Sequence, residues 1–229
     1  MSEENKEKFH ANIAICTPGE FLNRNYVSSL LGLLFELNNK KITWAFFNNT
    51  SSNVYTAREA TVTGNIDIDF GNMDPFGGQL TYDKILWIDS DIAFNASDAI
   101  KLYESDKDVI AGMYIASDGS VPVIETELGK SIDIKTAMEK TEPFKVWGTG
   151  MGFMCVKNGV FESLSKPWFQ SSSTKAFIVD KLFEFNLPAE DLSFCDRVGK
   201  SGKEVWIDPS VKVTHLKLMP LIWENNYNG

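Results

Sequence analysis

A short apolar run near the middle of the chain constrains the fold most. Ile85 to Ile88 form this run, and Asp89, Ser90 and Asp91 follow it at once. A continuous apolar run that ends this abruptly is typical of a strand buried on both faces of a mainly parallel sheet. Because side chains alternate along a strand, we expect Asp89 and Asp91 to point the same way from its end.

Two carboxylates on one side of a strand end repel each other unless a cation lies between them. Oxygen ligands of this kind suit Mg²⁺ or Mn²⁺, which proteins hold with one or two carboxylates plus the phosphates of a substrate. Alternatively, Asp89 and Asp91 only end the strand and lead to a helix capped by Ser97 or Asp98. The spacing by itself leaves both interpretations open.

Apolar strands and amphipathic helices alternate before this run. The pattern predicts strands at residues 11–16 and 42–47 and helices at residues 25–38 and about 54–62. Such βαβ units bind ligands beyond the carboxyl ends of their strands. Thr17-Pro18, Asn48-Asn49 and Asp89 to Asp91 are therefore expected along one edge of the sheet. The chain has no G-x-G-x-x-G turn and no G-x-x-x-x-G-K-[ST] loop, which argues against dinucleotide-binding and P-loop functions.

Four later features are candidates for a site. Residues 147–152 are rich in glycine and precede the apolar run 153–156, which predicts close approach of the backbone to a ligand, a bulge, or only a bent strand. Glu190 and Asp191 open a helix, where acids are favoured by the helix dipole, but a carboxylate that faces a cleft can be a general base. His215 shares its strand face with apolar residues, which by itself is more typical of a core histidine. Trp168 can stack on a sugar ring, although such aromatic residues more often pack in the core.

Size and composition limit the class of protein. The chain has 229 residues with 22 basic and 31 acidic side chains, and its net charge of −9 argues against a nucleic-acid partner. Three widely spaced cysteines in apolar surroundings indicate neither a disulfide framework nor a C-x-x-C metal site, and favour a reducing compartment. No signal peptide or membrane span is apparent. We therefore expect a cytoplasmic protein with a flexible tail at residues 1–10 and a single domain at residues 11–229.

The order of these motifs resembles the GT-A glycosyltransferases, and the resemblance covers nearly the whole chain. The matching segments are WIDSD at 87–91, WGTGMGF at 147–153 and PAEDLSFCDRVGKSGKEVWIDPSVKVTHL at 188–216. The last segment is the most specific, because it is close to the GEDxxFCxRAxxxGxxxWxDPxxxxxH pattern common in that superfamily. The resemblance, to inverting and family-2-like members, implies an α/β GT-A fold. This fold has a Rossmann-like, mainly parallel central sheet flanked by helices, with a small second sheet near the metal site.

The resemblance also implies a role for each candidate residue. Asp91 and His215 would contact Mn²⁺ or Mg²⁺ directly, and Asp89 would contact the ribose and reach the metal through water. Asp191 would be the catalytic base. Contacts to the donor nucleotide are implied for Thr17, Pro18, Asn48, Arg58, Asp89, Ser90 and Lys217. Contacts to the sugar or the acceptor are implied for Trp147, Gly148, Thr149, Gly150, Trp168 and Glu190.

The implied activity is transfer of a hexose from a nucleoside-diphosphate sugar, UDP being favoured over GDP, to a glycan or other hydroxyl acceptor with inversion. Two positions depart from the family pattern: Asn48 and Asn49 stand where an aspartate often recognises uracil, and Ala189 stands where glycine is usual. Two other classes remain open. A sugar-nucleotide pyrophosphorylase would normally show a glycine-rich, arginine-bearing loop after the first strand, which TPGEFLNRN does not resemble. A non-catalytic, Ca²⁺-dependent carbohydrate-binding module would bind glycans without a nucleotide.

Overall fold

The computed structural model describes residues 8–64, 74–116, 119, 122–170, 177–179, 182–184 and 189–217. In chain order its elements are β1 (Phe9–Pro18), α1 (Arg24–Asn39), β2 (Trp44–Asn49), α2 (Val54–Thr63), a 3₁₀ turn (Pro75–Gly78), β3 (Leu80–Ile88), β4 (Ile92–Ala93), α3 (Ala96–Glu104), β5 (Val109–Met113), β6 (Ile124–Glu127), β7 (Lys130–Ser131), α4 (Ile134–Glu139), β8 (Phe144–Val146), β9 (Gly148–Thr149), β10 (Phe153–Lys157), α5 (Val160–Ser163), β11 (Phe177–Val179), β12 (Leu182–Glu184), α6 (Glu190–Lys200), β13 (Val205–Lys212) and β14 (Thr214–His215).

A seven-stranded sheet forms the centre of the described structure, in the order β2-β1-β3-β10-β5-β13-β8. β1 pairs in parallel with β2 and β3, and β5 pairs in parallel with β13. β10 runs antiparallel between β3 and β5, and β8 runs antiparallel to β13 at the other edge. Smaller sheets are formed by β4 with β14 and by β6, β7 and β9. The predicted α/β class is therefore confirmed, with a mainly parallel central sheet, flanking helices and a small second sheet.

The central strand forms where the apolar run predicts it. Residues Ile85 to Ile88 are fully buried, because β3 lies between β1 and β10 and helices cover both faces of the sheet. Helix α1 buries Tyr26, Leu30, Leu33 and Leu37 at helical spacing and begins after Asn23, whose side chain accepts a hydrogen bond from the Asn25 N–H at 2.9 Å. Burial of these two apolar surfaces against each other stabilises this half of the sheet.

Two boundaries differ from the sequence prediction. β1 begins at Phe9, so residues 9 and 10 belong to the strand, and residues 1–7 of the predicted tail lie outside the described residues. The sequence predicts two late strands, at residues 204–207 and 211–215, but in the structure β13 runs on to Lys212 within the central sheet. Only β14, which carries His215, leaves that sheet, and it pairs with β4 just after Asp91. No helix among the described residues combines the length and the apolar character needed to cross a membrane.

Candidate active site

The carboxyl ends of β1, β2 and β3 meet at one edge of the sheet, as parallel pairing requires. Thr17 pairs with Asn48, and Cys16 pairs with Trp87, which precedes Asp89 by two residues. A cavity of about 340 Å³ opens beside these strand ends. Its lining includes Pro18, Arg58, Asp89, Ser90 and Asp91. Four of the predicted donor-binding residues thus face one common space, and Asp89 and Asp91, two of the three residues predicted at the metal, are among those that line it.

Thr17 and Asn48 hold the strand ends together. Thr17 is fully buried and its hydroxyl is hydrogen-bonded to the Tyr26 hydroxyl at 2.5 Å, so its side chain points into the core. The Asn48 amide nitrogen donates to the carbonyl oxygens of Thr17 at 2.7 Å and Gly19 at 2.9 Å. These contacts stabilise the loop that forms one wall of the cavity. The structure therefore gives the Thr17 side chain a supporting position instead of the predicted direct contact with a nucleotide.

Arg58 is buried between two carboxylates. Its Nη1 and Nη2 donate to the two oxygens of Asp89 at 3.0 and 3.3 Å, and its Nε donates to Glu190 Oε1 at 3.1 Å. Burial by itself lowers the pKa of Arg58, but the charges of Asp89 and Glu190 raise it above the ordinary value. The sequence predicted a direct contact between Arg58 and the donor. In the structure the guanidinium nitrogens of Arg58 are instead directed at carboxylates of the protein.

Asp91 and His215 are brought together by the pairing of β14 with β4. The Asp91 Oδ2 lies 3.4 Å from His215 Nε2 and 2.7 Å from Lys217 Nζ. His215 Nδ1 lies 3.0 Å from the Ile115 carbonyl oxygen. Because a carbonyl oxygen only accepts, the neutral ring carries its proton on Nδ1, which leaves the Nε2 lone pair facing Asp91.

The Asp91–His215 pair fits a divalent cation. Two ligands at right angles, each about 2.1 Å from one octahedral Mg²⁺, lie about 3.0 Å apart. The observed separation of 3.4 Å between Asp91 Oδ2 and His215 Nε2 is close to that value. Within the part of the chain that the structure describes, no three His, Cys, Asp or Glu side chains form a complete ligand group. The predicted trio is therefore not assembled as one cluster, since Asp89 is bound to Arg58.

Asp191 lies at the N-terminal end of α6, at the same edge of the sheet. It is partly buried, and burial together with the charge of Glu190 raises its pKa to about 6, although Arg58 lowers it. One of its oxygens accepts the Leu192 N–H at 2.7 Å. A carboxylate with this pKa is ionised at neutral pH and is still a useful general base.

The glycine-rich segment packs between α6 and β5. A Cβ on Gly148 would lie 2.8 Å from Leu192, and a Cβ on Gly150 would overlap the hydroxyl of Tyr114. Thr149 is buried and its hydroxyl donates to the Val123 carbonyl at 2.6 Å. These glycines are therefore needed because other parts of the protein approach closely, and the Thr149 side chain supports the turn instead of facing a substrate.

Two predicted sugar-binding tryptophans lie elsewhere. Trp168 is fully buried, packs against Phe161 and donates from Nε1 to the Phe161 carbonyl at 2.8 Å. In this conformation neither face of the indole is accessible to a sugar, so the predicted stacking is not seen. Trp147 is only partly buried but lines a different cavity, with Cys195 and Gly199 of α6.

Tyr114 belongs to this edge of the sheet and was not predicted as a site residue. It follows β5, is 8% exposed, and its hydroxyl accepts the Gly152 N–H at 3.0 Å. Its ring lies edge-on to His215 with the ring centroids 5.4 Å apart. The signal in the sequence was indirect: glycines at 150 and 152 indicate a bulky neighbour, but nothing in the sequence says which residue it is.

Comparisons with known proteins bear on the fold. No family model and no curated protein sequence matches the chain. Among solved structures, A197 from STIV superposes with a TM-score of 0.54 and 16% identity over 90% of this chain and 86% of that one. The chain has a GT-A fold.

Two other similar structures are glycosyltransferases. The catalytic domain of Drosophila beta1,4galactosyltransferase 7, in complex with xylobiose, gives a TM-score of 0.49 at 11% identity over 96% of this chain and 79% of that one. GalNAc-T7 with UDP, GalNAc and Mn²⁺ gives a TM-score of 0.49 at 12% identity over 95% of this chain and 45% of that one. At such scores and identities neither likeness supports a conclusion about activity.

Proposed function

We propose that this protein is a metal-dependent glycosyltransferase. It transfers a sugar, a hexose, from a nucleoside-diphosphate sugar to a hydroxyl group of a glycan or other acceptor, with inversion at the anomeric carbon. UDP is favoured over GDP as the donor nucleotide. The observation that carries the proposal is the placement of Asp91 Oδ2 and His215 Nε2, 3.4 Å apart, at the strand ends where a cavity of about 340 Å³ opens. In α/β folds, ligands bind at this edge of the sheet.

Asp91 and His215 would hold Mn²⁺ or Mg²⁺, with oxygens of the donor diphosphate as further ligands. Such an ion, when bound, neutralises charge on the departing nucleoside diphosphate. Lys217, now 2.7 Å from Asp91, is close enough to that charge to assist. Pro18 and Ser90 line the cavity beside these groups and would contact the nucleotide.

Asp191 is the proposed base. Its carboxylate takes the proton of the acceptor hydroxyl while the oxygen attacks the anomeric carbon from the face opposite the leaving group. With a pKa of about 6 the carboxylate is ready for this step at neutral pH. Arg58 holds Glu190, the residue before the base, at 3.1 Å and so orients the start of α6.

The test is an assay of donor hydrolysis and transfer over a panel of nucleotide sugars with Mn²⁺, on the wild type and on Asp191→Asn. Loss of a general base is expected to lower turnover about 10²–10⁴-fold. The variant should keep the rise in melting temperature that Mn²⁺ plus a nucleoside diphosphate produces, because ligand binding is separate from proton transfer. Asp196→Asn is the matched control, since Asp196 lies on the same helix and pairs with Lys200 at the surface.

Each contrary outcome has its own meaning. A fully active Asp191→Asn variant would remove the base assignment. Absence of any thermal shift with every nucleotide, combined with metal-dependent glycan binding, would identify a carbohydrate-binding module. Exchange of pyrophosphate into a nucleoside triphosphate would identify a nucleotidyltransferase.

A further inference from the structure

We infer that Tyr114 is a positioning residue that holds two separate parts of the site in register. Its hydroxyl fixes the glycine turn at residues 150–152, and its ring fixes the imidazole of His215. The inference rests on the proposed function, because it concerns the same site. It assigns to Tyr114 no contact with a substrate.

The hydroxyl contact connects Tyr114 to the strand end that carries Asp89. The Gly152 N–H donates to the Tyr114 hydroxyl oxygen at 3.0 Å, and the Gly152 carbonyl accepts the Asp89 N–H at 2.9 Å. Tyr114 is 8% exposed, so water competes little for this hydrogen bond. A Cβ on Gly152 would lie 2.9 Å from the same hydroxyl oxygen and 3.3 Å from Asp89 Oδ2. A side chain at position 152 would therefore collide with the Tyr114 hydroxyl, so the close approach of the turn to Tyr114 requires glycine there.

The ring contact fixes the histidine. The ring of Tyr114 lies edge-on to that of His215 at an interplanar angle of 75°, and the next residue, Ile115, accepts the His215 Nδ1 proton at 3.0 Å. Two consecutive residues thus set the plane and the tautomer of one imidazole. Both constraints direct Nε2 towards Asp91, 3.4 Å away. Partners of this kind orient a metal-binding histidine and raise its affinity.

The two contacts can be separated by substitution. Tyr114→Phe removes only the hydroxyl and keeps the ring, whereas Tyr114→Leu removes both. Tyr82→Phe is the matched control, because Tyr82 is also buried and its hydroxyl donates to Glu162 at 2.6 Å near the start of β3, at the opposite edge of the sheet. Stability, measured by urea unfolding, gives the fraction of folded protein for each variant.

Three readouts are needed. Mn²⁺ affinity is measured by electron paramagnetic resonance without donor, kcat and KM are measured for transfer, and the His215 tautomer is measured by ¹⁵N NMR of histidine-labelled protein. The chain contains two histidines, so the last spectrum is simple to assign. Tyr114→Phe should lower kcat about tenfold or more while leaving Mn²⁺ affinity nearly unchanged, in keeping with the 10–100-fold effects of supporting residues. Tyr114→Leu should also weaken Mn²⁺ binding about tenfold. It should lower the population of the Nδ1–H tautomer as well, because an imidazole that rotates out of its plane loses the hydrogen bond to the Ile115 carbonyl.

The control separates positioning from stability. If Tyr82→Phe lowers kcat as much as Tyr114→Phe at equal folded fraction, the hydroxyl has no positioning role. If Tyr114→Leu keeps both the Mn²⁺ affinity and the tautomer, the ring does not position His215. A wild-type protein without Mn²⁺ binding and without transfer would overturn the proposed function, and this inference with it. A wild type that has both, with variants that match the control, would overturn the inference alone.

Discussion

Replacement of Arg58 by methionine should destabilise the protein far more than loss of a surface ion pair. Methionine has a similar length and no charge, so Asp89 and Glu190 would face each other across an apolar side chain. The Arg58 side chain is only 4% exposed and has both carboxylates as partners. Removal of one partner of a buried pair costs about 3–5 kcal/mol, because the remaining charge stays buried without compensation.

The expected loss is at the lower end of that range. The Asp89 side chain is 28% exposed and that of Glu190 is 11% exposed, so water can solvate Asp89 in part after the substitution. We therefore expect a loss of about 3 kcal/mol in the free energy of unfolding. For a chain of this size, 1 kcal/mol corresponds to about 2–4 °C, so the melting temperature should fall by about 6–12 °C.

Urea unfolding of Arg58→Met and of a control, Lys145→Met, measures this difference. Lys145 and Glu204 form an exposed pair, with side chains 59% and 47% exposed, whose loss should cost less than about 1 kcal/mol. Adding Glu190→Gln to Arg58→Met should restore part of the stability, because one unpaired charge is then removed. An Arg58→Met variant that unfolds at the same urea concentration as the control would refute the reasoning.

Three further predictions concern charge. The value of kcat/KM should rise with pH through about 6 as Asp191 loses its proton. Glu190→Gln should move this rise to lower pH, because the charge of Glu190 raises the pKa of Asp191, and a flat profile between about pH 5 and 7 would contradict the base assignment. Lys217→Ala should tighten Mn²⁺ binding up to about fivefold in the absence of donor, because Lys217 Nζ lies 2.7 Å from Asp91 and competes with the cation; weaker binding in the same titration would exclude this competition. Burial raises the pKa of Glu59 from 4.5 to about 7, so the folded state keeps a proton that the unfolded state releases, and stability should fall as pH rises from 4.5 to 7. Glu59→Gln should flatten that dependence in urea unfolding, and an unchanged slope would show that Glu59 does not cause it.

The sequence was sufficient for features that repeat locally. The apolar run before Asp89 predicted the central strand, and helical spacing predicted α1 within one residue at each end, as residues 25–38 against the observed Arg24–Asn39. The ends of parallel strands lie at one edge for geometric reasons, so the proximity of Thr17, Asn48 and Asp89 followed from the βαβ pattern. Such features depend on residues close in sequence, which is why periodicity finds them.

Contacts between distant segments were not predictable in the same way. Arg58 and Glu190 are separated by 132 positions, and no periodic pattern connects them. The burial of Trp168 depends on how its segment packs against Phe161. This packing cannot be predicted from an aromatic residue that stands beside a polar stretch of sequence. The direction of β10, antiparallel among parallel strands, depends on the connections around it and not on its own residues.

The alternation of side chains along a strand makes Asp89 and Asp91 equivalent in the sequence pattern, but the two carboxylates have different partners in the structure. Asp89 is bound by a buried guanidinium through two hydrogen bonds, whereas Asp91 contacts Lys217, whose side chain is 46% exposed. An exposed ion pair contributes little and exchanges easily, while a buried, bidentate one does not. Under the proposed function, Asp91 is therefore the carboxylate that would release its partner and accept the cation, and His215 is already directed at it. Asp89 instead holds the strand end and the start of α6 in place through Arg58, which keeps Asp191 close to the same site.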